Sequence, residues 1–160
     1  MRTIEDYLPA HPFFAGLDAP TLRLVAGCAT NVSVHAGQYL CREGDPADRF
    51  FVVRRGRVTI EVHGPATGTL VIDTADEGDV VGWSWLVPPY RSMFDARAAE
   101  ATGVVAFDGA CLRGKCEDDS RLGYELMQRV TQVMNGRLVA AQVRLLDLYG
   151  ASGTTDAAPR

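Results

Sequence analysis

Apolar residues in the middle of the chain come in short groups, and glycine or proline turns separate one group from the next. Residues 50–53 are continuously apolar, which is typical of a strand buried on both faces. Residues 58–62 alternate apolar with polar, and this period of two predicts a strand with one solvated face. Further strands are predicted around 32–34, 39–41, 70–72, 79–81, 95–99 and 104–107. Short strands at this spacing predict a closed or double-sheet β-roll over residues 31–108.

The pattern at both ends of the chain is helical instead. Residues 1–30 predict a helical lead-in, with a short helix ending at Pro9 and a second helix capped by Asp18. Residues 109–150 predict a helix over 110–116 and then a long helix that begins near Asp119 and stops at Gly150. Residues 151–160 are predicted to be a disordered tail.

The long helix carries apolar residues at a heptad-like spacing. These residues are Met127, Val130, Met134, Leu138, Ala141, Leu145 and Leu148. The first turns are expected to pack on the β-roll, whereas the part beyond Leu138 extends too far for packing on the roll alone. The sequence therefore predicts a homodimer through this helix.

Composition narrows the class of partner. The chain has 160 residues, 47% of them apolar, and a formal charge of -4, so it predicts one domain with a sizeable core. A negative charge argues against broad binding to nucleic acid or anionic membranes, and no DNA binding is expected. No apolar run approaches the about 18 residues of a membrane span, and the N-terminus lacks a secretory signal, so a cytoplasmic location is expected.

The cysteines and histidines suggest no metal or cofactor site. Cys28 and Cys41 are expected to be core thiols, and Cys111 and Cys116 do not share a helix face. The three histidines are scattered and are expected in turns or on the surface. This arrangement disfavours the metal-dependent cupins, a rival β-roll class that needs clustered histidines. No nucleophile–base arrangement is evident either, so no enzyme is predicted.

Residues 78–98 contain the strongest candidate for a binding site. Gly82 can turn sharply after a strand, Ser84 can either cap a helical turn over 83–87 or contact a ligand, and two prolines end that turn. Arg91 follows, so free N–H groups and a guanidinium could hold one anion. Trp83 and Trp85 flank Ser84, either as a stacking wall for a planar ligand or as core residues.

The glycine spacing resembles a known family. Gly37, the Gly-Asp-Pro-Ala-Asp turn at 44–48, the run 50–53, Gly56, Gly78 and Gly82 look like the β-roll of cyclic-nucleotide-binding domains, as in the catabolite activator protein, protein kinases and ion channels. The resemblance covers roughly residues 13–149. It implies a double-stranded β-helix, or jelly roll, with N-terminal helices and a long C-terminal helix that covers the pocket and often dimerises. It also implies a phosphate-binding cassette over 82–92, with Gly82, Trp83, Ser84, Arg91 and Ser92 as ligand-binding candidates.

Two departures from the family shape the functional prediction. Trp83 stands where the family has a glutamate for the ribose 2′-OH, so cyclic AMP or cyclic GMP is expected to bind weakly. Arg97 is a second candidate for the phosphate clamp. The chain is predicted to be a stand-alone sensor that signals to an effector protein, with a degenerate dimeric scaffold as the alternative. A truncated transcription regulator is a third reading, although residues 151–160 suggest a natural end without the family's helix-turn-helix domain.

Overall fold

Two antiparallel sheets of four strands each pack face to face, with helices flanking them. The structure is a computed structural model that describes residues 2–152. One sheet has the strand order β1-β8-β3-β6 and the other β2-β7-β4-β5. The strands are β1 (Ala29–Val34), β2 (Tyr39–Cys41), β3 (Arg49–Arg55), β4 (Val58–Gly64), β5 (Gly68–Ala75), β6 (Val80–Val81), β7 (Asp95–Ala98) and β8 (Thr102–Asp108). The helices are α1 (Ile4–Tyr7), followed by a 3₁₀ turn (Leu8–Ala10), α2 (Ala19–Ala26), α3 (Gly109–Asp118) and α4 (Ser120–Ser152). The predicted jelly roll with flanking helices is confirmed.

Strand β3 is buried on both faces, as its continuous apolar run predicted. Phe51 and Val53 pack between the two sheets, whereas Phe50 and Val52 pack towards the helices. Phe50 stacks on Phe107 with ring centroids 4.4 Å apart. Alternate side chains of one strand therefore join two apolar clusters, which makes β3 the centre of the fold.

Strand β4 keeps the predicted alternation, but one residue of its polar face is buried. The register between β4 and β5 shifts between Ile60 and Glu61, whereas the pairing of β4 with β7 is regular. Glu61 accepts hydrogen bonds from the hydroxyl of Thr59, two positions earlier, and from Arg97 of β7, so it lies on the predicted polar face. Glu61, expected in solvent, is nevertheless fully buried beside Arg97, while Val62 is half-buried.

The helix caps follow the sequence, but the end of the last helix does not. The Asp18 carboxylate accepts the Thr21 N–H at 2.8 Å, and the Asp119 carboxylate accepts the N–H groups of Arg121 and Leu122 at the start of α4. The predicted stop at Gly150 is wrong, because α4 continues through it to Ser152. A helix interior tolerates glycine at a cost of about 1 kcal/mol, so glycine alone does not end it. The predicted disordered tail lies outside the described residues from position 153 onward, and the predicted division into segments stays a prediction.

The apolar residues of α4 that are fully buried in the core lie in its first half. Leu122, Leu126 and Val130 are buried in the cluster that includes Phe50. Apolar residues further along α4 are exposed, among them Leu138, Val139, Val143, Leu145 and Leu146. Within residues 2–152, no helix is both long enough and apolar enough to cross a membrane.

The cysteine prediction is wrong for one pair. Cys28 and Cys111 form a disulfide that joins the end of α2 to α3, across 83 residues of sequence. Pairing over that distance depends on the fold and cannot be seen in local spacing. Cys41 and Cys116 are free and half-buried, and burial raises the pKa of both thiols. Because disulfides are uncommon in the cytosol, the cytoplasmic location stays a prediction.

His11 lies in a turn, as expected, but is buried there. Its Nε2 lies 2.7 Å from the Gly78 carbonyl oxygen, and its Nδ1 accepts the Phe13 N–H at 3.2 Å. A neutral ring protonated at Nε2 satisfies both contacts. Burial lowers the pKa of His11 below its ordinary value, although the Gly78 carbonyl and Asp79 oppose that effect.

Candidate functional site

A cavity of about 320 Å³ lies between the β-roll and α4. Pockets of this size hold small molecules in other proteins. Strands β3 and β4, the segment after β6, strand β7 and helix α4 all contribute to the walls. The α4 residues at the cavity are Met134, Arg137, Leu138, Ala141 and Arg144.

The segment after β6 forms the helical turn that the sequence predicted, as two consecutive hydrogen-bonded turns. Gly82 adopts φ 88°, a conformation that favours glycine, and so redirects the chain. The Leu86 N–H donates to the Trp83 carbonyl at 3.1 Å, and the Val87 N–H to the Ser84 carbonyl at 3.3 Å. Within residues 2–152, the N–H groups of Trp83 and Ser84 have no acceptor. Both residues line the cavity, so two backbone donors without an acceptor among the described residues belong to its wall.

The end of the cassette is held by the Gly-Asp-Pro turn. The Ser92 N–H donates to the Asp45 carbonyl at 2.9 Å, and the Ala47 N–H donates to the Tyr90 carbonyl at 2.8 Å. These bonds set the chain path between the prolines and β7. The turn motif that identified the family in the sequence is therefore a support for the candidate site.

Four of the five predicted site residues line the cavity. Gly82, Trp83, Ser84 and Ser92 come together on its wall. Arg91 does not line the cavity: its side chain is exposed, and its guanidinium donates to the Gly44 carbonyl at 3.0 Å. The role of Arg91 as a phosphate clamp stays a prediction, without geometric support in this conformation.

The second candidate, Arg97, has a structural partner. Its Nε and Nη2 donate to Glu61 Oε1 at 3.0 and 2.8 Å, and its guanidinium lies 5.7 Å from the Tyr39 ring. The hydrogen bonds to Glu61 raise the pKa of Arg97 above its ordinary value. Arg97 compensates the buried carboxylate and is not part of the cavity wall.

The two tryptophans have different roles. Trp85 is fully buried and stacks on Phe50 with ring centroids 4.9 Å apart, so it is a core residue. Trp83 is half-exposed on the cavity wall, with the Arg137 guanidinium 5.1 Å from its ring centroid. A cation at this distance interacts favourably with the ring face. Trp83 therefore connects the cassette to α4.

Arg137 and Arg144 attach α4 to the two sheets, Arg137 through β6 and β5 and Arg144 through β5. Arg137 donates to the Val80 carbonyl and lies 3.8 Å from Asp73. Arg144 donates to the Ile72 carbonyl at 2.7 Å and lies 3.6 Å from the same carboxylate. Burial lowers the pKa of Arg137, a sign of the cost of placing a guanidinium there. Sequence reasoning missed both arginines, because they reach the cavity only when α4 crosses β5.

Arg49 was missed as well, although the sequence held a signal for it. It is the first residue of β3, two positions before Phe51, so the period of two places both side chains on one face. Both line the cavity. The Arg49 side chain has no hydrogen-bond or ion-pair partner among residues 2–152.

The charges on the wall favour an anion. Arg49, Arg137 and Arg144 face two carboxylates, Asp73 and Asp95, while the rest of the wall is mainly apolar. In the described part of the chain, no three metal-binding side chains are grouped around one point. The arrangement can therefore hold a small, mainly apolar molecule with one negative group.

A β-roll with a glycine-hinged cassette and a helix over its cavity is typical of small-molecule-binding regulatory domains. The sequence comparison identifies the family of domains to which the chain belongs. Residues 31–119 match the family model of the cyclic nucleotide-binding domain, over more than half of the chain. The chain belongs to the cyclic nucleotide-binding domain family, a regulatory class of domain.

One curated protein and two solved structures are similar to this chain. Cyclic nucleotide-gated ion channel 18 of Arabidopsis thaliana is 32% identical over 86 residues, which cover 51% of this chain and 12% of the channel. The chain thus matches a small part of that relative. The crystal structure of a candidate cyclic nucleotide-binding protein from Geobacter metallireducens GS-15 has a TM-score of 0.78 and 28% identity, covering 86% of this chain and 99% of that one. The regulatory domain of Toxoplasma gondii PKA with cAMP shares the fold, with a TM-score of 0.66 and 18% identity over 86% of this chain and 49% of that one.

Proposed function

We propose that this chain is a regulatory sensor in which a small molecule in the cavity sets the position of α4, and α4 passes that state to a partner protein. The observation that carries the proposal is the shared wall, because α4 supplies Met134, Arg137, Leu138, Ala141 and Arg144 to the cavity. A ligand there must contact the helix or displace it. Differential contact of this kind is what couples binding to a change of state.

Few polar contacts hold α4 over the cavity, which supports the coupling. Arg137 and Arg144 reach Val80, Asp73 and Ile72 on the roll, and Arg137 also lies over Trp83. Both arginines lie at the cavity. A ligand that takes over one of these guanidinium groups would weaken the attachment of the helix, and a ligand that bridges them would strengthen it.

The exposed apolar part of α4 is the proposed output surface. Val139, Val143, Leu145 and Leu146 are half or more exposed. Burying such side chains is favourable by about 25 cal/mol per Å² of apolar area. We propose that this surface forms a homodimer and contacts an effector protein, while a cytoplasmic location and the lack of specific DNA binding stay predictions.

A dimeric scaffold that binds no nucleotide is the second candidate. It is favoured by the position of Arg91, which lies outside the cavity wall, and by Trp83, whose indole has no acceptor for a ribose hydroxyl. In that case the apolar surface of α4 would act without control by a ligand.

Calorimetric titration with cyclic AMP and cyclic GMP tests the proposal, when wild type is compared with Ala141→Trp. The indole would occupy cavity space from α4 without changing the roll. Ala140→Trp is the matched control, because Ala140 is exposed on α4 and does not line the cavity. We expect weak binding that Ala141→Trp abolishes and Ala140→Trp retains. Binding that survives Ala141→Trp would place the ligand elsewhere and refute the proposal.

A further inference from the structure

Of the three arginines on the cavity wall, Arg49 has no carboxylate partner within residues 2–152. Arg137 and Arg144 both lie within 4 Å of the Asp73 carboxylate, at 3.8 and 3.6 Å. Asp95, the other acidic residue on the wall, lies 3.3 Å from His63 Nδ1 and accepts the Glu43 N–H at 2.7 Å. Three arginines against two carboxylates leave the wall net positive, and within residues 2–152 Arg49 is the arginine without a carboxylate partner.

The backbone of Arg49 lies next to the predicted cassette, and its side chain lines the cavity while remaining exposed. Its carbonyl oxygen is 3.6 Å from the point that a side chain on Gly82 would occupy, so the two backbones adjoin. Ser84 lies two residues beyond Gly82 on the same wall. A negative group between them could accept charge-assisted hydrogen bonds from the guanidinium and a bond from the hydroxyl.

The remainder of the wall suits an apolar body. Phe51, Ile60, Phe94 and Leu138 line it together with Met93 and Met134. Methionine side chains adapt to irregular ligands, because they are unbranched and flexible. Trp83 offers a ring face and an N–H donor, but no acceptor for a sugar hydroxyl.

We propose that the cavity takes a monoanionic molecule with an apolar body, such as an aliphatic or aromatic carboxylic acid, and that Arg49 binds its charge in place of Arg91. This inference rests on the proposed function, since it names the ligand class of the same cavity. The ribose of a cyclic nucleotide would add little binding free energy here, so the cavity should prefer acids that carry no sugar.

Octanoate and octan-1-ol are the probes that test the ligand class, because they differ in charge and share the apolar chain. Calorimetric titration is done on the full chain as wild type, Arg49→Gln, Arg49→Lys and the matched control Arg91→Gln. We expect octanoate to bind wild type saturably and to bind Arg49→Gln about tenfold to a hundredfold more weakly, which corresponds to the loss of a charge-assisted hydrogen bond. Arg49→Lys should recover part of the affinity, Arg91→Gln should match wild type, and octan-1-ol should bind every variant equally.

The contrary results separate this inference from the proposed function. Octanoate that fails to saturate, or that binds Arg49→Gln as well as wild type, would overturn the inference. Submicromolar cyclic AMP binding that is lost in Arg91→Gln and blocked by Ala141→Trp would overturn it too, while supporting the sensor. Octanoate binding that depends on Arg49 but is unaffected by Ala141→Trp would instead refute the proposed coupling through α4.

Discussion

Replacing Arg97 with methionine should destabilise the fold strongly, because it leaves the buried Glu61 without its cation. The Glu61 side chain has no solvent exposure, and its Oε1 accepts two bonds from Arg97 and one from the Thr59 hydroxyl. Its Oε2 has no hydrogen-bond partner within residues 2–152. Removing one partner of a buried ion pair costs about 3–5 kcal/mol.

The structure favours the lower end of that range. The Arg97 side chain is 39% exposed, so water can approach Glu61 once the guanidinium is gone. We expect a loss of about 3 kcal/mol, or about 6–12 °C in Tm for a domain of this size. Urea unfolding followed by tryptophan fluorescence measures the loss, because the buried Trp85 becomes exposed on unfolding.

Two further variants make the test specific. Arg91→Met removes an exposed guanidinium that donates to one carbonyl, and it should change stability by no more than about 0.5 kcal/mol. Adding Glu61→Gln to Arg97→Met should recover stability, since the buried charge is then gone. The reasoning would be refuted if Arg97→Met unfolded within about 0.5 kcal/mol of wild type, or if Arg91→Met cost as much.

The remaining predictions concern α4, His11 and Trp83. Light scattering should find that the wild type is a dimer and that Leu145→Glu dissociates it, because Leu145 is 53% exposed on the apolar face of α4. The control Gln132→Glu should remain a dimer. A wild type that is monomeric at tens of micromolar would contradict this prediction. Burial lowers the pKa of His11 below 6.5, so the unfolded chain binds the proton more readily, and stability should fall as the pH drops below about 6.5. Urea midpoints for wild type and His11→Gln check this, and an equal pH slope would contradict it. Trp83→Glu should strengthen cyclic AMP binding about tenfold to a hundredfold, because the carboxylate supplies an acceptor for the ribose hydroxyl. A folded variant whose affinity in a calorimetric titration equals that of wild type would contradict this prediction.

Features determined by nearby residues could be predicted from the sequence. The apolar run in β3, the Asp18 and Asp119 caps and the sharp turn at Gly82 all depend on residues within one turn or strand. Three of the candidate site residues, Gly82, Trp83 and Ser84, come together because they are consecutive in the sequence, whereas Ser92 reaches the cavity through the contact of its segment with the turn at Asp45. Local chemistry sufficed for all of these except the position of Ser92.

Features that depend on distant contacts could not be predicted. Glu61 is buried because β7 places Arg97 against it, and Cys28 meets Cys111 because α3 returns to the end of α2. Arg137 and Arg144 reach the cavity because α4 crosses β5 at Asp73. Arg91 is turned away from the cavity by the contact of its segment with the turn at Gly44. None of these long-range contacts can be predicted from a local sequence pattern.

Hydrogen exchange along α4, measured with and without a saturating cavity ligand, tests the central claim most directly. The helix forms one wall of the cavity, so binding should change the exchange of amides between Met134 and Arg144 together with those between Gly82 and Ser92. The probes are octanoate and cyclic AMP, each at a concentration shown by calorimetry to saturate the protein. We expect a joint change in both segments that disappears in Ala141→Trp. Saturated binding that leaves the exchange of α4 unchanged would contradict it.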